Sequence, residues 1–220
     1  MSKQTKITAV VAGLVIAGIV ALIVASSKGE AERPATTADT PAEESALMRP
    51  DARVLGEKGS SDVTFVEFLD FECEACGAAY PIVEDVRKKY AGKVTFIVRY
   101  FPLPGHFNSE RAARAVESAA RQGEFEAMYS KMYETQATWG EAQTPHDDLF
   151  RSFAEEIGLD MKTYDADYAS EEVASRVQRD VDDGTELGVQ GTPTFFVDGE
   201  PFEPQAVEDF DRVLDEALAE

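Results

Sequence analysis

The only two cysteines in the chain, Cys73 and Cys76, stand three residues apart directly after a β-forming run, Val63 to Phe71 (VTFVEFLDF). That run is apolar on both of its alternating faces apart from Glu67 and Asp70, which predicts a strand buried on both sides. The stretch from Ala75 to Tyr90 suits a helix with Ile82, Val83 and Val86 on one side, kinked at Pro81. Val94 to Phe101 (VTFIVRYF) then reads as a second strand. A β-α-β unit of this length needs a parallel, two-sided sheet, so the chain is directed to an α/β architecture.

Where a strand hands over to a helix, Cys73 lies beside unpaired backbone N–H groups and the positive end of the helix dipole, and a thiolate is stabilised there. Cys76, one turn on, shares the same face and can close or reopen a disulfide. Two cysteines are too few for the framework of a small secreted scaffold. Two other readings stay open on this local pattern: a static disulfide, or half of a zinc site. Zinc normally needs a second CxxC or a closely spaced His pair, whereas the two histidines, His106 and His146, are distant and read as surface or loop residues. The expectation is therefore no metal and no cofactor beyond the cysteine pair.

Downstream lies a long helical section. Phe125, Met128, Tyr129, Met132 and Tyr133 recur at helical spacing, and this stripe reads as core rather than as a peptide groove. Leu149, Phe150, Phe153 and Ile157 follow a Thr144-Pro145 start that resembles a capping box with Asp147, and Gly123 and Gly158 are suitable stops. Thr194 to Val197, the Asp198-Gly199 turn and Glu200 to Glu203 predict a hairpin. The last helix would bury Val207, Phe210, Val213, Leu214, Ala217 and Leu218.

Before the folded part, Ile7 to Ala25 is a run of 19 uncharged residues, about 28 Å long as a helix, enough to span a bilayer core. Lys3 and Lys6 precede it and Glu30 and Glu32 follow, which predicts a cytoplasmic amino terminus and an extracytoplasmic domain, a single-pass anchor in the cell membrane. A cleaved signal peptide is the competing reading, but its apolar region is usually only about 7–15 residues. The expected organisation is residues 1–28 as cytoplasmic tip and anchor, 29–50 as a flexible acidic Pro/Ala/Thr tether, and 51–220 as the domain. The chain carries a formal charge of -21, and residues 29–220 alone carry -24 because Lys3, Lys6 and Lys28 all lie before them. Such a surface repels phosphate backbones, which argues against nucleic-acid binding and speaks mainly to solubility.

FLDFECEACGAAYP, followed much later by GVQGTPTFFVDG, resembles the DsbA family of bacterial thiol-disulfide oxidoreductases, particularly its membrane-tethered Gram-positive type, over about residues 51–220. FPLPGHFNSERAARA is similar to the segment that opens that family's helical insertion, here about residues 106–187. The resemblance implies a thioredoxin-like fold with an inserted helical domain, Cys73 as the nucleophile facing clients and Cys76 as the resolving thiol. It also implies a cis Thr192-Pro193 bond against the disulfide, with the Thr192 backbone available to a client strand. Propensity would have assigned a trans bond, since only ~5–6% of X–Pro bonds are cis.

Glu67 lies six residues before Cys73, where relatives commonly carry a buried acid. In an apolar strand its pKa should rise and it would pass protons to and from Cys76; the alternative is a charge at an exposed strand edge. Relatives that oxidise strongly carry Pro-His between the cysteines, whereas this chain has Glu74 and Ala75, with Asp70 and Glu72 nearby. Negative neighbours disfavour the thiolate, so Cys73 is expected to be less acidic than in those relatives. The expected function is oxidation of reduced or misoxidised client proteins by a monomer, with reoxidation by a quinone-linked membrane oxidase that the resemblance suggests. A reductase or isomerase of the same fold, and a tethered chaperone or binding module with an inert disulfide, are the alternatives.

Overall fold

The computed structural model describes residues 46–220. Among them a five-stranded sheet is formed by β1 (Arg53–Leu55), β2 (Thr64–Leu69), β3 (Thr95–Tyr100), β4 (Thr194–Val197) and β5 (Glu200–Phe202), in the order β1-β3-β2-β4-β5. β2 and β3 are parallel, with Glu67 opposite Val98 and Phe68 opposite Arg99, and helix α1 (Glu74–Lys89) makes the crossover. α1 continues through Pro81. The hairpin of β4 and β5 turns at Asp198 and Gly199, both at positive φ (48° and 86°), as a two-residue hairpin turn requires. β1 was not foreseen, because three residues are too few to show a period.

The period-two alternation of β2 places Phe65, Glu67 and Leu69 on one face and Val66 and Phe68 on the other. The first face shares its core with Val83 and Val86 of α1 and with Phe210 and Leu214 of α7 (Glu208–Ala217). On the second face Val66 and Phe68 pack with Leu47, Ile97, Phe101, Val189 and Phe196. Helix α6 (Glu171–Glu186) closes over this side: a Cβ on its Gly184 would come within 2.8 Å of the Phe68 and Phe101 rings, so a side chain there would push the helix off the sheet.

Between β3 and β4 lie α2 (Ser109–Ala120), α3 (Phe125–Thr135), a 3-10 turn (Gln136–Thr138), α4 (Asp147–Glu156), α5 (Met161–Tyr168) and α6. α2 sits centrally because Ala112, Ala113, Ala115 and Ala119 leave room for neighbours on several sides. Met128, Tyr129, Met132 and Tyr133 are buried in the core. Trp139, which had no readable role, is fully buried and meets Phe150 edge-on at 4.9 Å.

Three expectations need correction. The Thr144-Pro145 capping box does not form: α4 starts at Asp147 without a side-chain cap. The loop is held instead by Asn108, whose Oδ1 accepts from the His146 N–H (3.0 Å) and whose Nδ2 donates to the Ala142 (3.1 Å) and Thr144 (3.0 Å) carbonyls. Val207 is 54% exposed and precedes α7 rather than lying on its buried face. Residues 46–50, assigned to the tether, pack on the domain: Leu47 is 7% exposed, and its carbonyl and that of Ala46 accept from the buried Arg99 guanidinium. A buried guanidinium has five N–H groups to satisfy, and this segment supplies acceptors for some of them. The run Ile7–Ala25 and residues 29–45 lie outside the described residues, among which no helix is long and apolar enough to cross a membrane.

Candidate active site

β2 ends at Leu69, and the chain turns through Asp70, Phe71 and Glu72 into Cys73, the extended N-cap residue of α1. The Cys73 N–H donates to the Asp70 carbonyl (3.2 Å), and its own carbonyl accepts from the Gly77 N–H (3.0 Å). Both cysteines are free thiols. Cys73 keeps 6% of its surface exposed and Cys76 only 1%, so Cys73 is the more accessible of the two sulfurs. The Thr192-Pro193 bond is cis, and the Cys73 S–H donates to the Thr192 carbonyl at 3.4 Å. Cys73, Cys76, Thr192 and Pro193 thus come together from opposite ends of the sequence. Glu74 and Ala75, the residues between the cysteines, are both exposed in the first turn of α1.

The two sulfurs are driven to opposite protonation states. The Cys73 thiol is lowered to about 5, first by the hydrogen bond from Cys76 and then, against the opposing effect of burial, by the Thr192 hydroxyl and the Cys76 and Ala75 N–H groups. With Cys73 as the free thiol, Thr192 Oγ1 is buried without a hydrogen-bond partner. Burial pushes the Cys76 thiol up, and its bond to Cys73 and the charge of Glu67 add to this. Glu67 is in the middle of the sheet, not at an edge, and is 3% exposed. Burial first, then the charges of Glu84 and Cys73, raise its pKa to about 8.

Two of the three acids expected to oppose the Cys73 thiolate, Asp70 and Glu72, are engaged elsewhere. Asp70 accepts from the N–H groups of Glu72 (2.8 Å) and Leu103 (3.0 Å), and its Oδ2 lies 2.6 Å from Nδ1 of His106. Glu72 accepts from the Asn108 N–H at 2.6 Å. Burial raises both acids towards their neutral forms. His106 is therefore a partner of the buried Asp70 and not an ordinary loop residue. Burial lowers the pKa of this histidine, but the bond to Asp70 and its charge outweigh that, and the net shift is upward. No spacing signal links these two residues, which are 36 positions apart. Among the described residues, Glu74, His106 and Glu141 form a group that could hold a metal ion, with ligand atoms within 4.8 Å of one another and both glutamates exposed.

The sheet, the CxxC at the start of its crossover helix and the cis proline facing it define a protein of thioredoxin fold. The family profile described as Thioredoxin matches residues 49–216. A thioredoxin-like oxidoreductase from Silicibacter pomeroyi DSS-3 superposes with a TM-score of 0.67 at 27% identity, covering 82% of this chain and 99% of its own. The thiol-disulfide exchange protein alpha-DsbA2 from Wolbachia pipientis gives 0.68 at 18% identity, over 80% of this chain and 91% of its own. BdbD from Bacillus subtilis gives 0.63 at 24%, over 76% and 91%. Among curated proteins, the Na(+)/H(+) antiporter NhaA of Herminiimonas arsenicoxydans is 33% identical over 163 residues, which is 74% of this chain and 25% of the antiporter. This chain spans about a quarter of the length of the curated relatives it matches. The chain belongs to the thioredoxin family and has the fold of the DsbA-type structures it superposes on.

Proposed function

We propose that the domain works outside the cytoplasm, tethered through residues 7–25, and oxidises pairs of thiols in secreted or membrane client proteins. The observation that carries this reading is the split between the sulfurs: Cys73 is acidic and reachable, while Cys76 is buried and held protonated one turn away. An ionised Cys73 stabilises the reduced enzyme and so makes its disulfide a good electron acceptor. A pKa of about 5 falls between the ~7 of thioredoxin and the ~3.5 of a strongly oxidising DsbA.

The steps balance as an exchange. A client thiolate attacks the Cys73 sulfur, the Cys73–Cys76 bond breaks, and Cys76 leaves as a thiolate that takes a proton from Glu67. A second client thiolate then attacks the client sulfur of the mixed disulfide and expels Cys73 as a stable thiolate. Two electrons pass from the client to the enzyme, and a quinone-linked membrane oxidase would remove them. The raised pKa of Glu67 suits the proton transfer, because the group holds a proton at neutral pH and sits close enough to Cys73 and Cys76 for their charges to interact.

Serine replacements test this directly. When the full chain is treated with glutathione disulfide at mildly acidic pH, Cys76→Ser should keep glutathione on Cys73, while Cys73→Ser should stay unmodified. The oxidised wild-type chain should also convert a reduced dithiol peptide to its disulfide in stoichiometric yield. Equal labelling of both variants, or of neither, would overturn the reading.

A further inference from the structure

The turn carrying Cys73 is held from the helical insertion as well as from the cis-proline side. Gln136 opens the 3-10 turn that follows α3. Its side-chain Nε2 donates to the Phe71 carbonyl at 2.8 Å and to the Cys73 carbonyl at 2.9 Å, across 65 and 63 residues of sequence. Both amide hydrogens are thereby spent on carbonyls of the redox turn. We propose that Gln136 is a positioning residue of the redox site, fixing the backbone that aims the Cys73 sulfur. The proposal rests on the exchange reading above.

Two observations separate this role from ordinary loop packing. The loop after Gln136 is held by the residue's backbone, whose carbonyl accepts from the Trp139 (3.1 Å) and Gly140 (2.7 Å) N–H groups. The side chain is therefore left to the redox turn. The second observation is Gly77, in the first turn of α1. A Cβ built there would stand 2.0 Å from Gln136 Oε1, and the amide is pinned by its two hydrogen bonds. Glycine weakens a helix interior relative to alanine, yet here it leaves the space that the amide fills.

The chemical consequence follows from where the two carbonyls point. Bound to Gln136, they are oriented and neutralised by a donor. Without Gln136 the Phe71 carbonyl would lose its donor and the Cys73 carbonyl would keep only the Gly77 N–H, close to a sulfur that must carry charge, and the turn that holds Cys73 against Thr192 and the Ala75 and Cys76 N–H groups would loosen. The same loss would make the reduced form less stable and favour the disulfide.

The test equilibrates the full chain in glutathione buffers and follows Cys73 alkylation against pH, for wild type, Gln136→Met, Gly77→Ala and the double variant. Methionine keeps the length of the side chain and removes the donors. Gln136→Met should move the redox equilibrium towards the disulfide by roughly tenfold and shift the alkylation midpoint to higher pH. Gly77→Ala should do the same by displacing the amide, and should add little once Gln136 is already Met, because the two changes break one contact. If wild type exchanges and Gln136→Met leaves the equilibrium within about twofold and the midpoint unmoved, the proposal is wrong, whatever happens to the melting temperature. A wild-type chain that does not exchange at all would instead sink the functional reading on which the proposal rests.

Discussion

Strands β2 and β3 lie side by side, and each buries an ionisable side chain, but the surroundings treat the two in opposite ways. Arg99 of β3 is fully buried and compensated: its guanidinium meets Asp180 at 2.6 Å, Asp183 at 2.5 Å and the Leu47 carbonyl at 3.0 Å. Asp180 is shared further, with Arg176 at 2.7 Å and the Tyr100 N–H at 3.0 Å. Glu67 of β2 has no such partner among the described residues; its electrostatic neighbours are another acid, Glu84, and the Cys73 sulfur, and both push its pKa up. A compensated buried charge is part of the scaffold, fastening β3, α6 and the entering chain together. An uncompensated one keeps a proton that can be given away, which is useful only beside a group that needs it.

The comparison breaks most visibly at Arg99. Arg99→Leu leaves Asp180 and Asp183 buried without their shared cation and should cost about 3–5 kcal/mol in urea unfolding, while the molecules still folded keep their redox equilibrium. Glu67→Gln should act in the opposite direction. An acid whose folded pKa is raised from 4.5 to about 8 favours the unfolded state as pH climbs through that window. The Gln variant should therefore be more stable than wild type by on the order of 5 kcal/mol above pH ~8, with the advantage vanishing below pH ~4.5. The same variant should slow release of Cys76 at neutral pH by about tenfold or more. A variant that gained no stability at high pH would show that Glu67 is compensated after all.

The entering segment gives a smaller effect. A chain beginning at residue 51 loses the Leu47 contacts, two acceptors of Arg99 and the Arg49–Asp183 pair. It should unfold about 2 kcal/mol more easily than one beginning at residue 46. Smallest of all is Glu74→His. Glu74 is exposed, so solvent screens it, and the exchange should lower the Cys73 midpoint by less than about one pH unit while making the enzyme slightly more oxidising. No movement in either quantity would remove Glu74 from the account of the site.

What could be read from the sequence was whatever a local pattern carries. The alternation of VTFVEFLDF marked a two-sided strand and so a buried Glu67, and the three-residue spacing after it put both cysteines on one face of a helix start. β1 escaped because three residues have no period. Residues 46–50 looked like tether because what orders them, Arg99, lies about fifty positions away. His106 and Gln136 were missed for the same reason: their value lies in contacts with Asp70 and with the Phe71 and Cys73 carbonyls, which are set by how the helical insertion folds back onto the sheet. The cis geometry at Pro193 was suggested only by family resemblance, since propensity pointed to trans.

The central claim is that the fold turns Cys73 into a stable thiolate. The most direct measurement is the rate of Cys73 alkylation in the reduced full chain as a function of pH, with Cys76→Ser beside it. The account predicts a wild-type midpoint near pH 5, and one still well below that of an ordinary thiol in Cys76→Ser, because the serine hydroxyl can donate to the thiolate in place of the Cys76 S–H that stabilises it most. A wild-type midpoint near the 9 of an ordinary thiol would contradict it.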